Sequence, residues 1–182
     1  MKKTILTGFM FLAAFLSSAT LLSAADAVNP QKTAKVLNNL VELNIDAEKG
    51  FKEAAENVPS ASLKSHFIAK SEERRAFAEQ LREHLRKLNQ QIDQKGTVTE
   101  AARRAWLDVK TAVTQNDDKA VLEVAKSQQA KSVAEYRDAL RKNLTDDVRN
   151  LIAQQGEKVE DCYDWINKQL RDEQIEEGKK NN

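Results

Sequence analysis

The side chains in this sequence that could do redox or hydrolytic chemistry are two histidines and a set of carboxylates. A di-iron site in a helical bundle takes a Glu from each of two helices and a Glu-x-x-His pair from each of the other two, because residues i and i+3 share a helix face. His66 and His84 are each preceded, three residues earlier, by a leucine, Leu63 and Leu81. Since the sequence contains no Glu-x-x-His, the standard site cannot be built, and we predict that the protein is not an enzyme.

A site made of carboxylates alone remains an alternative. Glu48 and Glu73 are the candidate metal ligands, because the predicted pairing of the first two helices brings them to similar heights. Lys70 and Arg74 fall at the same height, and we favour an ionic layer in which they neutralise Glu48, since ion pairing is their ordinary role. We therefore expect no cofactor, with iron or another divalent metal as the alternative. Four further polar residues interrupt otherwise apolar helix stripes: Asn44, Gln129, Ser132 and Gln155.

The polar residues named above lie on predicted helices. The chain has only 5 Gly and 2 Pro in 182 residues, and 31% of its residues are charged. This composition and the spacing of apolar residues predict an all-α protein. The predicted helices cover about 31–57, 61–91 and 98–113, then the stretch from the polar break at 115–118 to about 142, and finally 146–170, before a charged, frayed tail at 171–182.

The lengths of the connections predict how these helices are arranged. Pro59-Ser60 and Thr145-Asp146-Asp147 are short breaks, so the first two long helices and the last two should form antiparallel hairpins. The hairpins are joined by a long crossover that contains the short helix at 98–113. One long crossover in a four-helix bundle is the ferritin-like arrangement, so we predict a ferritin-like four-helix-bundle domain over residues 31–170.

The first 25 residues are typical of a secretory signal peptide. Lys2 and Lys3 precede an uncharged, mostly apolar run over 4–22, and small residues follow it at once. The predicted cleavage is after Ala25, with Ala27 as a second option, and an uncleaved membrane anchor is the alternative. We therefore expect a periplasmic or secreted protein with no membrane span after cleavage.

Charge and cysteine content limit the partners of the mature chain. Removing two signal lysines leaves 27 basic against 28 acidic residues, a net charge of −1. A near-neutral domain gives no electrostatic reason to expect nucleic-acid binding. Cys162 is the only cysteine, so no intramolecular disulfide can form, and we expect it to be a buried small hydrophobe. We expect both histidines to be surface or boundary residues.

Four segments resemble a widespread bacterial family of ferritin-like four-helix-bundle domains of unknown function. They are residues 46–56 (DAEKGFKEAAE), 72–81 (EERRAFAEQL), 106–110 (WLDVK) and 144–148 (LTDDV). The resemblance spans about residues 36–170. It implies the fold but no activity, because members of the family have no assigned function.

Three functions are consistent with these observations. The first is a non-enzymatic binding, stress-response or structural module acting outside the cytoplasm. The second is a metal-binding or oxidative-stress protein with a degenerate carboxylate site. The third is a homo-oligomer that self-assembles through its helix faces.

Overall fold

The computed structural model describes residues 28–89 and 117–180 of the chain. These residues form four helices: α1 (Pro30–Asn57), α2 (Ala61–Lys87), α3 (Asp118–Leu140) and α4 (Asp146–Lys180). The described ranges contain no β-strand. The prediction of an all-α four-helix bundle is confirmed.

Polar side chains cap the N-termini of the first three helices. Asn29 Oδ1 accepts a hydrogen bond from the Lys32 amide at 3.1 Å, and proline occupies the first position of α1. Ser60 Oγ accepts from the Leu63 amide at 3.3 Å at the start of α2. Asp117 Oδ1 accepts from an amide in the first turn of α3, at 3.0 Å. Each side chain satisfies a backbone N–H that the helix leaves free.

Contacts between side chains confirm two antiparallel hairpins. The rings of Phe51 on α1 and Phe67 on α2 stack with centroids 5.9 Å apart, and further along the pair Asn44 meets Arg74. In the second hairpin, Gly156 of α4 packs beneath the Tyr136 ring of α3. Each hairpin is formed by neighbours in sequence, as short connections require.

The two hairpins pack with α1 against α3 and α2 against α4. Near its start, α2 contacts α4 through His66 and Trp165, and near its end through His84 and Asp147. These two helices are therefore antiparallel, and α2 and α3 run in the same direction. Asp118 lies beside Ser60, accepting its amide at 3.4 Å, so α3 begins at the end of the bundle where α2 begins.

Because α2 and α3 run in the same direction, the chain between them must connect opposite ends of the bundle. With a rise of about 1.5 Å per residue, α2 is about 40 Å long. The predicted crossover helix at 98–113 and Trp106 lie outside the described residues.

The core consists of two apolar clusters at different heights. The first cluster lies towards the α3–α4 turn, and the second lies towards the α1–α2 turn. The first contains Ala34, Leu37, Leu40, Val41, Phe77, Leu81, Leu85, Val133, Tyr136, Ala139, Leu144, Val148, Ile152 and Val159. The second contains Phe51, Ala54, Ala55, Val58, Leu63, Phe67, Val121, Leu122, Cys162, Ile166 and Leu170.

Three helix ends differ from the prediction. α2 ends at Lys87, because Asn89 adopts a left-handed φ of 51° that the helix cannot continue through. α3 ends at Leu140, and its free carbonyl accepts a hydrogen bond from the Arg149 side chain at 2.7 Å. α4 continues past the predicted end near Leu170 to Lys180.

Of the four described helices, none is both long and apolar enough to cross a membrane.

Candidate functional site: a buried polar layer

A layer of polar side chains crosses the bundle between the two apolar clusters. On α1, Asn44 occupies the core stripe between Val41 of the first cluster and Phe51 of the second, and it is fully buried. Its Nδ2 donates to the Leu40 carbonyl and to the Tyr136 hydroxyl, each at 2.7 Å. Asn44 therefore connects its own helix to α3.

Arg74 on α2 is the centre of this layer, and 0% of its surface is exposed. One terminal nitrogen, Nη2, donates to Gln129 Oε1 on α3 at 2.6 Å, and Nη1 donates to Asn44 Oδ1 at 3.4 Å. The guanidinium carbon lies 5.7 Å from the centroid of the Phe77 ring on the same helix. Nε of Arg74 is buried and has no hydrogen-bond partner among the residues that the structure describes.

Tyr136 continues the network from α3 to α4 and then to the surface. Its hydroxyl donates to Gln155 Oε1 at 2.9 Å. Gln155 Nε2 in turn donates to Gln80 Oε1 at 2.8 Å and to the Phe77 carbonyl at 3.3 Å. Since Gln80 is exposed, the network ends at solvent. We call Asn44, Arg74, Gln129, Tyr136 and Gln155 the polar layer.

The layer has one formal charge, the guanidinium of Arg74. Burial lowers the pKa of Arg74, and Tyr136 and Cys162 partly oppose this shift. An arginine nevertheless stays protonated in proteins. Burial raises the pKa of Tyr136 to about 12, against the hydrogen bond from Asn44, so its phenol is neutral at physiological pH. The layer is therefore a buried cation surrounded by neutral dipoles.

The prediction that Lys70 and Arg74 neutralise Glu48 in an ionic layer is wrong. The hydrogen bonds of Arg74 go to two amide oxygens, and no described carboxylate forms an ion pair with it. Lys70 pairs instead with Glu73 on its own helix at 3.0 Å, with both side chains partly exposed. Glu48 is half-buried and forms no ion pair with either base in the described ranges. Asn44 and Gln129 reach further into the centre than Glu48 does, and they bond the guanidinium.

The candidate metal ligands Glu48 and Glu73 are not joined by further ligands. In residues 28–89 and 117–180, no three His, Cys, Asp or Glu side chains converge as a metal site requires. A di-iron group does not fit these residues, because the guanidinium of Arg74 lies at the centre and would repel a divalent cation. The two carboxylates therefore lie beside a centre that already carries positive charge.

Both histidines lie at the boundary of the bundle, as predicted. The imidazole of His66 stacks on the Trp165 indole, with centroids 3.4 Å apart and planes 9° apart. Burial, reinforced by the nearby Lys70 ammonium, lowers the pKa of His66 to about 4, and its Nε2 has no hydrogen-bond partner in the described part of the chain. His84 Nδ1 lies 3.1 Å from the Gln80 carbonyl. The stack on Trp165 is a contact that the sequence did not predict.

Cys162 is buried, which confirms its prediction as a small core residue. Burial raises the pKa of its thiol to about 11. Because the thiolate is the reactive form of cysteine, this side chain is protonated and unreactive at neutral pH.

Asn44, Gln129 and Gln155 are buried polar residues in the layer, as their positions on apolar stripes indicated. Ser132 is buried too, but its hydroxyl donates to the Gln128 carbonyl of its own helix, at 3.2 Å. The sequence analysis missed Tyr136. The signal that could have found it is its hydroxyl, because Tyr136 lies on the helix stripe that also carries Gln129 and Ser132.

These features define a class: an all-α four-helix bundle with a cationic polar layer between two apolar clusters. The chain belongs to the family described as "Domain of unknown function (DUF2383)", whose sequence model matches residues 32–142. The match covers α1, α2 and α3 and ends before α4 begins. No curated protein matches the chain.

Proposed function

We propose that the protein is exported and acts as a non-enzymatic, ferritin-like helical module in stress tolerance or in interactions within the cell envelope. The observation that carries this proposal is Arg74 at the centre of the bundle. A catalytic metal centre needs converging carboxylates and imidazoles there, whereas this position holds a protein cation bonded to neutral amides. The bundle is then a scaffold whose outer helix faces contact a partner.

The ferritin-like topology is supported by the direction of the helices. α2 and α3 are parallel, so the chain between Asn89 and Asp117 joins opposite ends of the bundle. One such crossover between two antiparallel hairpins is the ferritin-like connectivity. Growth-hormone-like bundles, in contrast, use two long crossovers.

Export is supported by the first 25 residues. A basic start, an uncharged apolar run and small residues at Ser23-Ala24-Ala25 form the pattern that signal peptidases recognise. We expect the protein to be recovered from the periplasm or medium of a bacterial host, with Asp26 as its N-terminus. Leu12→Arg, which breaks the apolar run, should leave an unprocessed precursor in the cells. An unprocessed parent chain in the cytoplasm or the membrane would contradict cleavage and export.

Metal content tests the non-enzymatic part of the proposal. The purified protein should be fully helical and should contain less than about 0.1 metal per chain, because its centre is cationic. Glu48→Ala should leave this content unchanged, as should Glu56→Ala, a matched removal of an exposed carboxylate from the same helix. Stoichiometric iron, zinc or manganese that is lost in Glu48→Ala but retained in Glu56→Ala would establish the metal-binding alternative instead.

A further inference from the structure

No described carboxylate forms an ion pair with the buried guanidinium of Arg74. The charge of Glu73 raises the pKa of Arg74 from nearby, but the Glu73 carboxylate forms its ion pair with Lys70, at 3.0 Å. Taking an unpaired ion out of water costs several kcal/mol even after the protein relaxes. Arginine cannot avoid this cost by losing its proton. An opposite charge close to Arg74 would therefore be strongly stabilised.

The guanidinium also keeps hydrogen-bonding capacity. It has five N–H donors; the bonds to Gln129 and Asn44 use two of them, and the Tyr136 side chain also interacts with the guanidinium. The bond to Asn44 is long, at 3.4 Å, and in residues 28–89 and 117–180 the buried Nε finds no partner. A buried donor without an acceptor costs about 1–3 kcal/mol. An acceptor at the Nε edge would remove that cost as well as the charge imbalance.

We propose that the polar layer binds a small monovalent anion, with chloride as the physiological example, at the Nε edge of Arg74. One negative charge neutralises one guanidinium, whereas a sulfate or a phosphate dianion would leave a buried net charge of −1. The anion must also give up its water to enter a buried layer, which favours chloride over the more strongly hydrated fluoride. This site goes beyond the proposed function, because a metal-free scaffold does not require it.

Chloride-dependent stability is the first test. The purified protein is unfolded by heat in sodium gluconate, and gluconate is then replaced by chloride at constant ionic strength. We expect a saturable rise in Tm, on the order of 5 °C once chloride exceeds its Kd by about 100-fold. Arg74→Met should abolish the rise. Arg75→Gln removes the same charge from the neighbouring exposed position and should retain it.

Two additions keep the test decisive. If Arg74→Met does not fold, it is replaced by the triple variant Asn44→Leu/Arg74→Met/Gln129→Leu. This variant removes the two amide acceptors together with the guanidinium. Line broadening of the ³⁵Cl NMR signal should appear with the parent and with Arg75→Gln, and not with the variant that lacks Arg74. A parent Tm that is equal in gluconate and chloride, or a chloride effect that persists without Arg74, overturns the site. Metal content measured on the same samples shows separately whether the scaffold proposal holds.

Discussion

The two apolar clusters and the polar layer between them contribute to the fold in different ways. The clusters bury side chains such as Leu81, Leu122 and Ile152 completely, and this burial is the main source of stability. The layer buries Arg74 and its amide partners at the same depth, where desolvation offsets much of what the hydrogen bonds contribute. The clusters therefore stabilise the bundle, whereas the hydrogen bonds of the layer connect all four helices at one level.

The largest expected effect comes from a cavity in an apolar cluster. Leu81→Ala removes a side chain with 0% exposure from the first cluster and should lower the free energy of unfolding by about 3–5 kcal/mol. Urea denaturation followed by circular dichroism measures the change. Ile68→Ala, at a residue that is 45% exposed on the same helix, is the control and should cost less than about 1 kcal/mol. Equal losses in the two variants would contradict the assignment of the core.

Removing one residue of the polar layer should lower the free energy of unfolding by somewhat less than Leu81→Ala does. Asn44→Ala leaves the Tyr136 hydroxyl without a donor and Arg74 without one acceptor, so we expect a loss of about 2–3 kcal/mol. Tyr136→Phe removes the other partner, and a double-mutant cycle between the two measures their coupling. A coupling energy near zero would show that the hydrogen bond between them contributes nothing to the fold.

The contact between His66 and Trp165, at the edge of the second cluster, should make stability depend on pH. The unfolded chain binds a proton at His66 below a pKa of about 6.5, whereas the folded chain does so only near 4. The free energy of unfolding should therefore fall as the pH drops from about 6.5 towards 4. Since His66 is only half-buried, we expect a loss on the order of 1–2 kcal/mol.

The histidine contribution is isolated by comparing variants at pH 7 and pH 5. His66→Phe keeps an aromatic ring against Trp165 and should lose this part of the pH dependence, whereas His84→Asn should retain it. If the free energy of unfolding changes equally between pH 7 and pH 5 in the parent and in His66→Phe, other groups produce the pH dependence.

The smallest expected effect concerns the packing of α4 against the layer. A Cβ added at Gly156 would lie 3.6 Å from Tyr136, an ordinary van der Waals contact. Gly156→Ala should therefore raise the free energy of unfolding, by up to about 1 kcal/mol, because alanine is the better helix former. A loss of more than about 1 kcal/mol would show that α3 and α4 cannot accommodate the methyl group.

The sequence predicted the apolar clusters well and the layer only in part. Helical periodicity predicts that Leu81 and Ile152 are buried, because each lies on the apolar face of its helix. This prediction does not require knowing which residues pack against them. The same periodicity showed that Asn44, Gln129 and Gln155 would be buried. It could not show that Arg74 bonds amides instead of Glu48, because that choice depends on side-chain reach and on the relative rotation of four helices.

The stack of His66 on Trp165 was missed for a related reason. The two residues are far apart in sequence and lie on helices of different hairpins. No local pattern links them, so the contact follows only from the packing of α2 against α4.

Replacing the polar layer as a unit shows directly whether it is a cation among neutral dipoles. The triple variant Asn44→Leu/Arg74→Met/Gln129→Leu, measured in chloride-free buffer, joins the two clusters into one apolar core. If the layer is a cation among neutral dipoles, the variant should unfold cooperatively with a free energy equal to that of the parent or up to about 4 kcal/mol higher. A loss of about 3–5 kcal/mol would mean that Arg74 belongs to a buried ion pair, and it would contradict the account.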